Sequence, residues 1–236
     1  MDEKPLFLSK KDFEQGRVLL INKEIGWTSF DVVKKTKNII KSRFKIKKIK
    51  VGHAGTLDPL ATGLLIICTG KLTKEISKIQ NQVKTYTGEI TLGATTPSFD
   101  LETTINQVFD TTKITHHNIK EVAKKFTGQI EQRPPVYSAI KIDGERLYKK
   151  ARRGESIEIK KRKITISSFV IKEINIPTFT FNINCSKGTY IRSIANDFGK
   201  LMNNGGYLSK LCRTKIGNYN LNNAITITEL ENQLKY

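Results

Sequence analysis

Between Gly52 and Cys68 a glycine-punctuated segment, Gly52-His53-Ala54-Gly55-Thr56-Leu57-Asp58-Pro59-Leu60-Ala61-Thr62-Gly63, runs straight into the apolar stretch Leu64-Leu65-Ile66-Ile67-Cys68. An apolar run of this length without polar alternation suits a strand covered on both faces, so it must lie at the centre of a core. The segment before it must then turn tightly beside that core. Asp58 precedes Pro59, which pushes its backbone away from the helical region, while Gly52, Gly55 and Gly63 allow close turns around it. Two readings fit these residues. Asp58 caps a helical turn begun by Pro59, with the glycines as loop punctuation, or it is a carboxylate held in one orientation as part of a site.

The flanking chain alternates strands and helices. Arg17 to Asn22 read as a buried strand, followed by a turn at Gly26 and a helix that starts near Thr28 or Ser29. After the apolar run, Gly70 closes the strand and Lys71 to Ile79 read as a short amphipathic helix. Lys84 to Leu92 read as a strand with Tyr86 near its start, Asn118 to Phe126 as a helix, and Ile164 to Ile171 and Thr178 to Cys185 as strands. Phe179, Phe181, Ile183 and Cys185 alternate onto one face of the last of these. His116 and His117 precede a helix side by side, and adjacent residues diverge on any regular element, which argues against a shared metal.

Composition narrows the partners. The 236 residues fit one elaborated domain, and 41 Lys and Arg against 22 Asp and Glu give a formal charge of +19. Such an excess favours a polyanion, nucleic acid first, although an AT-rich genome raises lysine content regardless of function. From Lys34 to Lys50 there are nine basic residues and no acidic one, interleaved with Ile39, Ile40, Phe44, Ile46 and Ile49. That run is either a solvated face or a field that draws phosphates towards the Asp58 segment. Cys68, Cys185 and Cys212 are widely separated, with no Cys-x-x-Cys pair, so neither disulfides nor a zinc site is indicated. The first ten residues lack a secretory pattern and no apolar run approaches membrane-spanning length, which makes the reducing cytoplasm the expected compartment.

The Gly52 to Leu65 segment closely resembles the catalytic motif of the TruB family, the bacterial tRNA pseudouridine-55 synthases. Three further stretches resemble family motifs in the same order: Gln132-Arg133-Pro134-Pro135-Val136-Tyr137-Ser138-Ala139-Ile140-Lys141 with Gly144 and Ala151-Arg152-Arg153-Gly154; Gly188-Thr189-Tyr190-Ile191-Arg192; and Leu208 to Arg213 with Gly217. Asn22-Lys23-Glu24-Ile25-Gly26-Trp27-Thr28-Ser29 is similar to the family's N-terminal pattern, with Glu24 where proline is common. Thr95 to Glu102 matches only loosely, and no functional residue is carried onto it.

The resemblance implies a pseudouridine synthase fold: α+β, with a large mixed, mainly antiparallel sheet, flanking helices and a central basic cleft. It implies a single catalytic domain over 1–236 with an RNA-clamping insertion at about 131–155 and without the C-terminal PUA-type domain of many relatives. Asp58 is then the catalytic carboxylate, Arg192 its ion-pair partner, and Tyr86 the residue that stacks on the target base and could help remove its C5 proton. Tyr190, Leu211 and His53 line the substrate site. The implied reaction converts a T-loop uridine of tRNA to pseudouridine without cofactor, metal or obligatory protein partner, the partner being the tRNA T-arm stem-loop and not a membrane. Two alternatives share the basic surfaces: a non-catalytic tRNA-folding chaperone, and a synthase acting on another RNA.

Overall fold

The computed structural model describes residues 9–142, 144–155 and 157–234. Residues 1–8, read as carrying no secretory leader, lie outside them. In chain order the elements are α1 (Lys10–Gln15), β1 (Val18–Lys23), α2 (Ser29–Phe44), β2 (Val51–His53), β3 (Ala61–Thr69), a 3-10 turn (Gly70–Glu75), α3 (Ile76–Gln80), β4 (Lys84–Leu92), β5 (Ala94–Thr95), β6 (Gln107–Val108), α4 (His116–Lys124), β7 (Gly128–Gln132), β8 (Lys141–Ile142), β9 (Glu145–Arg146), α5 (Leu147–Arg152), β10 (Arg162–Asn175), β11 (Thr178–Cys185), α6 (Ile191–Leu201), β12 (Gly206–Ile216), β13 (Tyr219–Asn220) and α7 (Ile227–Gln233). The chain forms two compact units, Met1–Tyr86 with Cys212–Tyr236 and Thr87–Leu211, so β4 and β12 are divided between them.

In the first unit the strand order is β1-β3-β12, with β2 also on β3 and β13 on β12. The β1, β2 and β13 pairings are antiparallel, and Ile21 adds a parallel bridge to Ile225. β3 has no polar alternation because both its faces are covered. Leu64, Ile66 and Cys68 join Ala54, Ile79 and Ile216 in one core cluster, which leaves Leu65 and Ile67, also fully buried, on the opposite face. Helix α2 starts where Thr28 and Asp31 form a reciprocal capping box, and it buries Val32, Val33, Thr36, Ile39 and Ile40 along one stripe. The basic residues of the Lys34 to Lys50 run lie exposed or half-buried while its isoleucines are buried. The helix read over Lys71 to Ile79 is split, a 3-10 turn giving way to α3.

In the second unit the order is β12-β4-β11-β10-β7, with antiparallel registers between β10 and both β11 and β7. A parallel bridge joins Asp100 to Leu208. The alternation on β11 buries Phe179, Phe181, Ile183 and Cys185 as read from the sequence. Phe198 of α6 packs on Phe179 with ring centroids 4.7 Å apart and stacks on Phe126 at 5.7 Å, so aromatic contacts seat this helix on the sheet. α4 begins at His116, because Thr115 and Asn118 form its capping box, and both histidines fall inside the helix. The architecture is α+β with mainly antiparallel pairing and flanking helices.

Candidate active site

Asp58 sits at the first position of a tight turn whose closing bond runs from the Ala61 N–H to the Asp58 carbonyl, 3.0 Å. Pro59 is at the second position, where its fixed φ suits the turn. This is the turn that delivers the chain into β3. It is held on several sides within the first unit. Ser29, the first residue of α2, accepts from the Leu57 N–H at 2.8 Å and donates to the Leu57 carbonyl at 3.1 Å. The Gly26 N–H donates to the Pro59 carbonyl at 2.8 Å. Lys23 Nζ, at the end of β1, donates to the carbonyls of Trp27 at 2.6 Å, Glu24 at 2.9 Å and Pro59 at 3.4 Å.

Arg213 of β12 supplies the remaining hold. Its Nη2 donates to the Gly55 carbonyl at 2.9 Å, Nη1 to Thr56 at 3.3 Å, and Nε to Leu64 at 2.9 Å. β12 and β3 meet here closely enough to require glycine at position 63, whose φ is +98 and whose Cβ would lie 2.8 Å from Cys212 Sγ.

Two buried cations therefore hold the backbone around the half-buried Asp58. Lys23 is 1% exposed, and burial lowers its pKa to about 8; the Asp58 carboxylate counteracts that fall, while the Arg213 charge deepens it. His53 ends β2. Burial first, then the Arg213 charge, lowers its pKa against a weaker opposing pull from the Gly55 backbone, so the imidazole is neutral at pH 7. Its Nδ1 is buried and makes no hydrogen bond of normal geometry among the described residues. Tyr86 closes the first unit as a buried residue of β4, on the same face as Lys84.

The second unit carries Tyr190, Arg192 and Leu211. Gln132 clasps Tyr190 by its backbone, accepting from the N–H at 2.8 Å and donating to the carbonyl at 3.0 Å, and the Arg162 guanidinium lies 4.7 Å from the Tyr190 ring centre. That clasp fixes the start of α6. Arg192, its second residue, is 3% exposed; Nη1 donates to the Ser98 carbonyl at 3.1 Å and Nη2 to Tyr137 at 2.9 Å. Its Nε lies 3.5 Å from Asp100 Oδ2, an ion pair without hydrogen-bond geometry. Leu211 is half-buried on β12. In the 131–155 segment, Arg153 is tied to Glu145 and Glu155 and Arg152 to Glu102.

The sequence reading thus finds Asp58, His53 and Tyr86 in the first unit and Tyr190, Arg192 and Leu211 in the second. It missed the burial of Lys23, Arg213 and Asp100. Lys23 and Arg213 lie in segments that resemble the family's motifs but carry no role in that reading, and Asp100 lies in the loosely matching Thr95 to Glu102 stretch. An acid among Thr96, Ser98 and Thr103 carries no periodic signal of burial. Ser98 and Thr96 donate to the Asp100 carbonyl, at 3.1 and 2.6 Å, and so hold it in a loop without regular structure.

The family described as TruB family pseudouridylate synthase (N terminal domain) matches residues 41–191. A protein of Flavobacterium johnsoniae named tRNA pseudouridine synthase B is 55% identical over 229 residues, covering 97% of this chain and 100% of that protein. Another of that name from Parabacteroides distasonis is 46% identical, covering 95% of each. Among solved structures, a chain of a Cbf5-Nop10-Gar1 complex superimposes with a TM-score of 0.69 at 25% identity, covering 97% of this chain and 57% of that one.

Proposed function

The chain belongs to the TruB family of pseudouridylate synthases, and from that premise we propose that it converts the T-loop uridine at position 55 of tRNA to pseudouridine, with Asp58 as the catalytic carboxylate. The observation that carries the assignment is the Asp58 turn, whose backbone is gripped by Ser29, Lys23 and Arg213 and so fixes the point from which the carboxylate extends. A residue that merely capped a loop would not need that many partners around it.

In the reaction the C1′–N1 bond breaks, the uracil turns in its pocket and a C1′–C5 bond forms. C5 loses a proton and N1 gains one, so the product is an isomer. Nothing is oxidised or reduced, and the chemistry needs no cofactor or metal. Asp58 acts on the sugar as nucleophile at C1′ or as base at C2′ through a glycal, and both routes start from the ionised acid. In this reading Arg192 acts as the ion-pair partner of Asp58 and favours that ionised form. Asp100 steadies Arg192 in turn.

Extruding the uridine from the T-arm costs about a few kcal/mol of stacking. Tyr86, Tyr190 and Leu211 enclose the base and recover part of that cost, Tyr86 also standing near the C5 proton. His53, at the end of β2, contacts the RNA loop. The 131–155 segment clamps the stem-loop, and the exposed bases of α2 draw in phosphates. The protein acts alone, in the cytoplasm.

The deciding experiment measures tritium release from tRNA transcript labelled at uridine C5, with purified protein and no other component. The wild type releases about one equivalent from the T-loop uridine, whereas Asp58→Asn releases none and binds the transcript with unchanged affinity. An active Asp58→Asn variant overturns the assignment. Tight binding without release by the wild type moves the reading to a folding chaperone, or to a synthase for another RNA.

A further inference from the structure

Arg213 is 1% exposed and the largest of the fully buried side chains, yet among the described residues it has no carboxylate in ion-pair range. Its donors all go to backbone carbonyls. A buried cation without a counter-ion is costly, and a core position filled only for packing would take an apolar residue instead. What the guanidinium achieves is geometric. Gly55 and Thr56 lie just before Asp58 and Leu64 lies after it, so the planar fork ties the two ends of the Asp58 segment to each other and to β12. The grip reaches the segment from a residue 149 positions from Leu64 and 158 from Gly55.

Ser29 and Lys23 hold the middle of the same segment, at Leu57 and Pro59. Neither reaches its two ends. Gly55 itself has φ +123, a conformation that only glycine adopts readily, and nothing in its own side chain can fix it. The carbonyl it turns inward is the one that Arg213 Nη2 holds.

We infer that Arg213 is a positioning residue for the reaction, fixing the reach of Asp58 by clamping the backbone at both ends of its segment. The inference rests on Asp58 being the catalytic carboxylate. Arg213 itself touches neither base nor sugar. Its contribution enters through the placement of Asp58 relative to C1′ or C2′, where a displacement of about 1 Å costs on the order of 100-fold in rate.

The test uses full-length Arg213→Lys, which keeps the charge but has no fork, beside Ser29→Ala and Asp58→Asn. Three readouts are taken: single-turnover rate, transcript affinity, and hydrogen exchange of the amides from 54 to 66. For Arg213→Lys the rate falls about 100-fold while affinity stays within about threefold. Exchange speeds up in the 54–66 segment and stays at the wild-type level in β10 and β11. Ser29→Ala, which loosens the middle of the segment and not its ends, shows a smaller loss; if Arg213→Lys does not fold, Arg213→Gln, which keeps a donor but neither the fork nor the charge, takes its place with the same expected and overturning outcomes. A rate within about threefold of wild type in a folded Arg213→Lys protein overturns the inference, as does a loss of protection spread evenly over the chain. If Asp58→Asn still turns over, the reading of Asp58 fails, while local exchange in Arg213→Lys still shows whether the clamp exists.

Discussion

Arg213 in the first unit and Arg192 in the second are exposed by only 1% and 3%, and each donates to carbonyls of sequence-distant segments, yet among the described residues only Arg192 of the two has a carboxylate in ion-pair range, that of Asp100 at 3.5 Å. Arg192 is half of a charge pair. Arg213 enters the core with carbonyl dipoles as its hydrogen-bond partners. The difference follows from what each has to hold. Arg192 opens a helix and reaches into an irregular loop, where a side-chain carboxylate is within reach. Arg213 stands on a central strand, and what lies opposite is the backbone of a glycine-rich segment whose carbonyls at Gly55, Thr56 and Leu64 accept from its guanidinium. A guanidinium can therefore be buried by neutralising an acid or by completing a loop, and the two uses respond differently to substitution.

The largest effect expected is at the charge pair. Asp100→Ala removes the carboxylate that lies 3.5 Å from the buried Arg192 guanidinium and destabilises the protein by about 3–5 kcal/mol in urea unfolding. A loss under about 1 kcal/mol would mean that the Ser98 and Tyr137 carbonyls suffice, and the contrast with Arg213 would collapse. Gly63→Ala probes the other side. A methyl group at φ +98, in the path of the Arg213 backbone, forces β3 and β12 apart and costs about 1–3 kcal/mol. An unchanged unfolding midpoint would show that the Arg213 site adapts.

Smaller effects come from pH. Lys23 has a folded pKa of about 8 against 10.5 unfolded, so its buried charge penalises the folded form below pH 8. As pH rises from 8 towards 10.5 the folded protein sheds a proton that the unfolded chain keeps, and the penalty is relieved. The stability of wild type relative to Lys23→Met therefore increases between pH 8 and 10, measured by urea midpoints. A difference independent of pH would show Lys23 to be hydrated rather than buried. The smallest effect is at His53, whose pKa is lowered in the folded state. The unfolded chain takes up the proton first as pH falls through 6.5, so wild type loses stability there and His53→Gln lacks that loss.

Much of the architecture was legible in the residues. β4 and β11 occupy the spans read from their alternation, and α2 begins at the Thr28 and Ser29 signal because its capping box is local. The helix read over Asn118 to Phe126 was shifted, since Thr115 with Asn118 makes a box that the apolar pattern alone does not register. Lys71 to Ile79 did not form one helix, its first turn taking the tighter 3-10 geometry that runs out of β3 at Gly70. Within the site, the motifs identified Asp58, His53, Tyr86, Tyr190, Arg192 and Leu211 as candidates. They gave no sign that the neighbouring Lys23 and Arg213 would be buried, nor that Asp100 would lie against Arg192.

By itself the sequence determined whatever depends on neighbours a few positions apart: strand and helix patterns, the Asp58-Pro59 turn, and the motif order that marks the family. The tertiary structure decided which buried cation meets which partner. That choice rests on carbonyls that the topology brings to Arg213 from 149 to 158 residues away, and on an Asp100 that reaches Arg192 from a loop without periodicity. Backbone carbonyls are the same at every position. No pattern of side chains can announce which of them a distant guanidinium will hold.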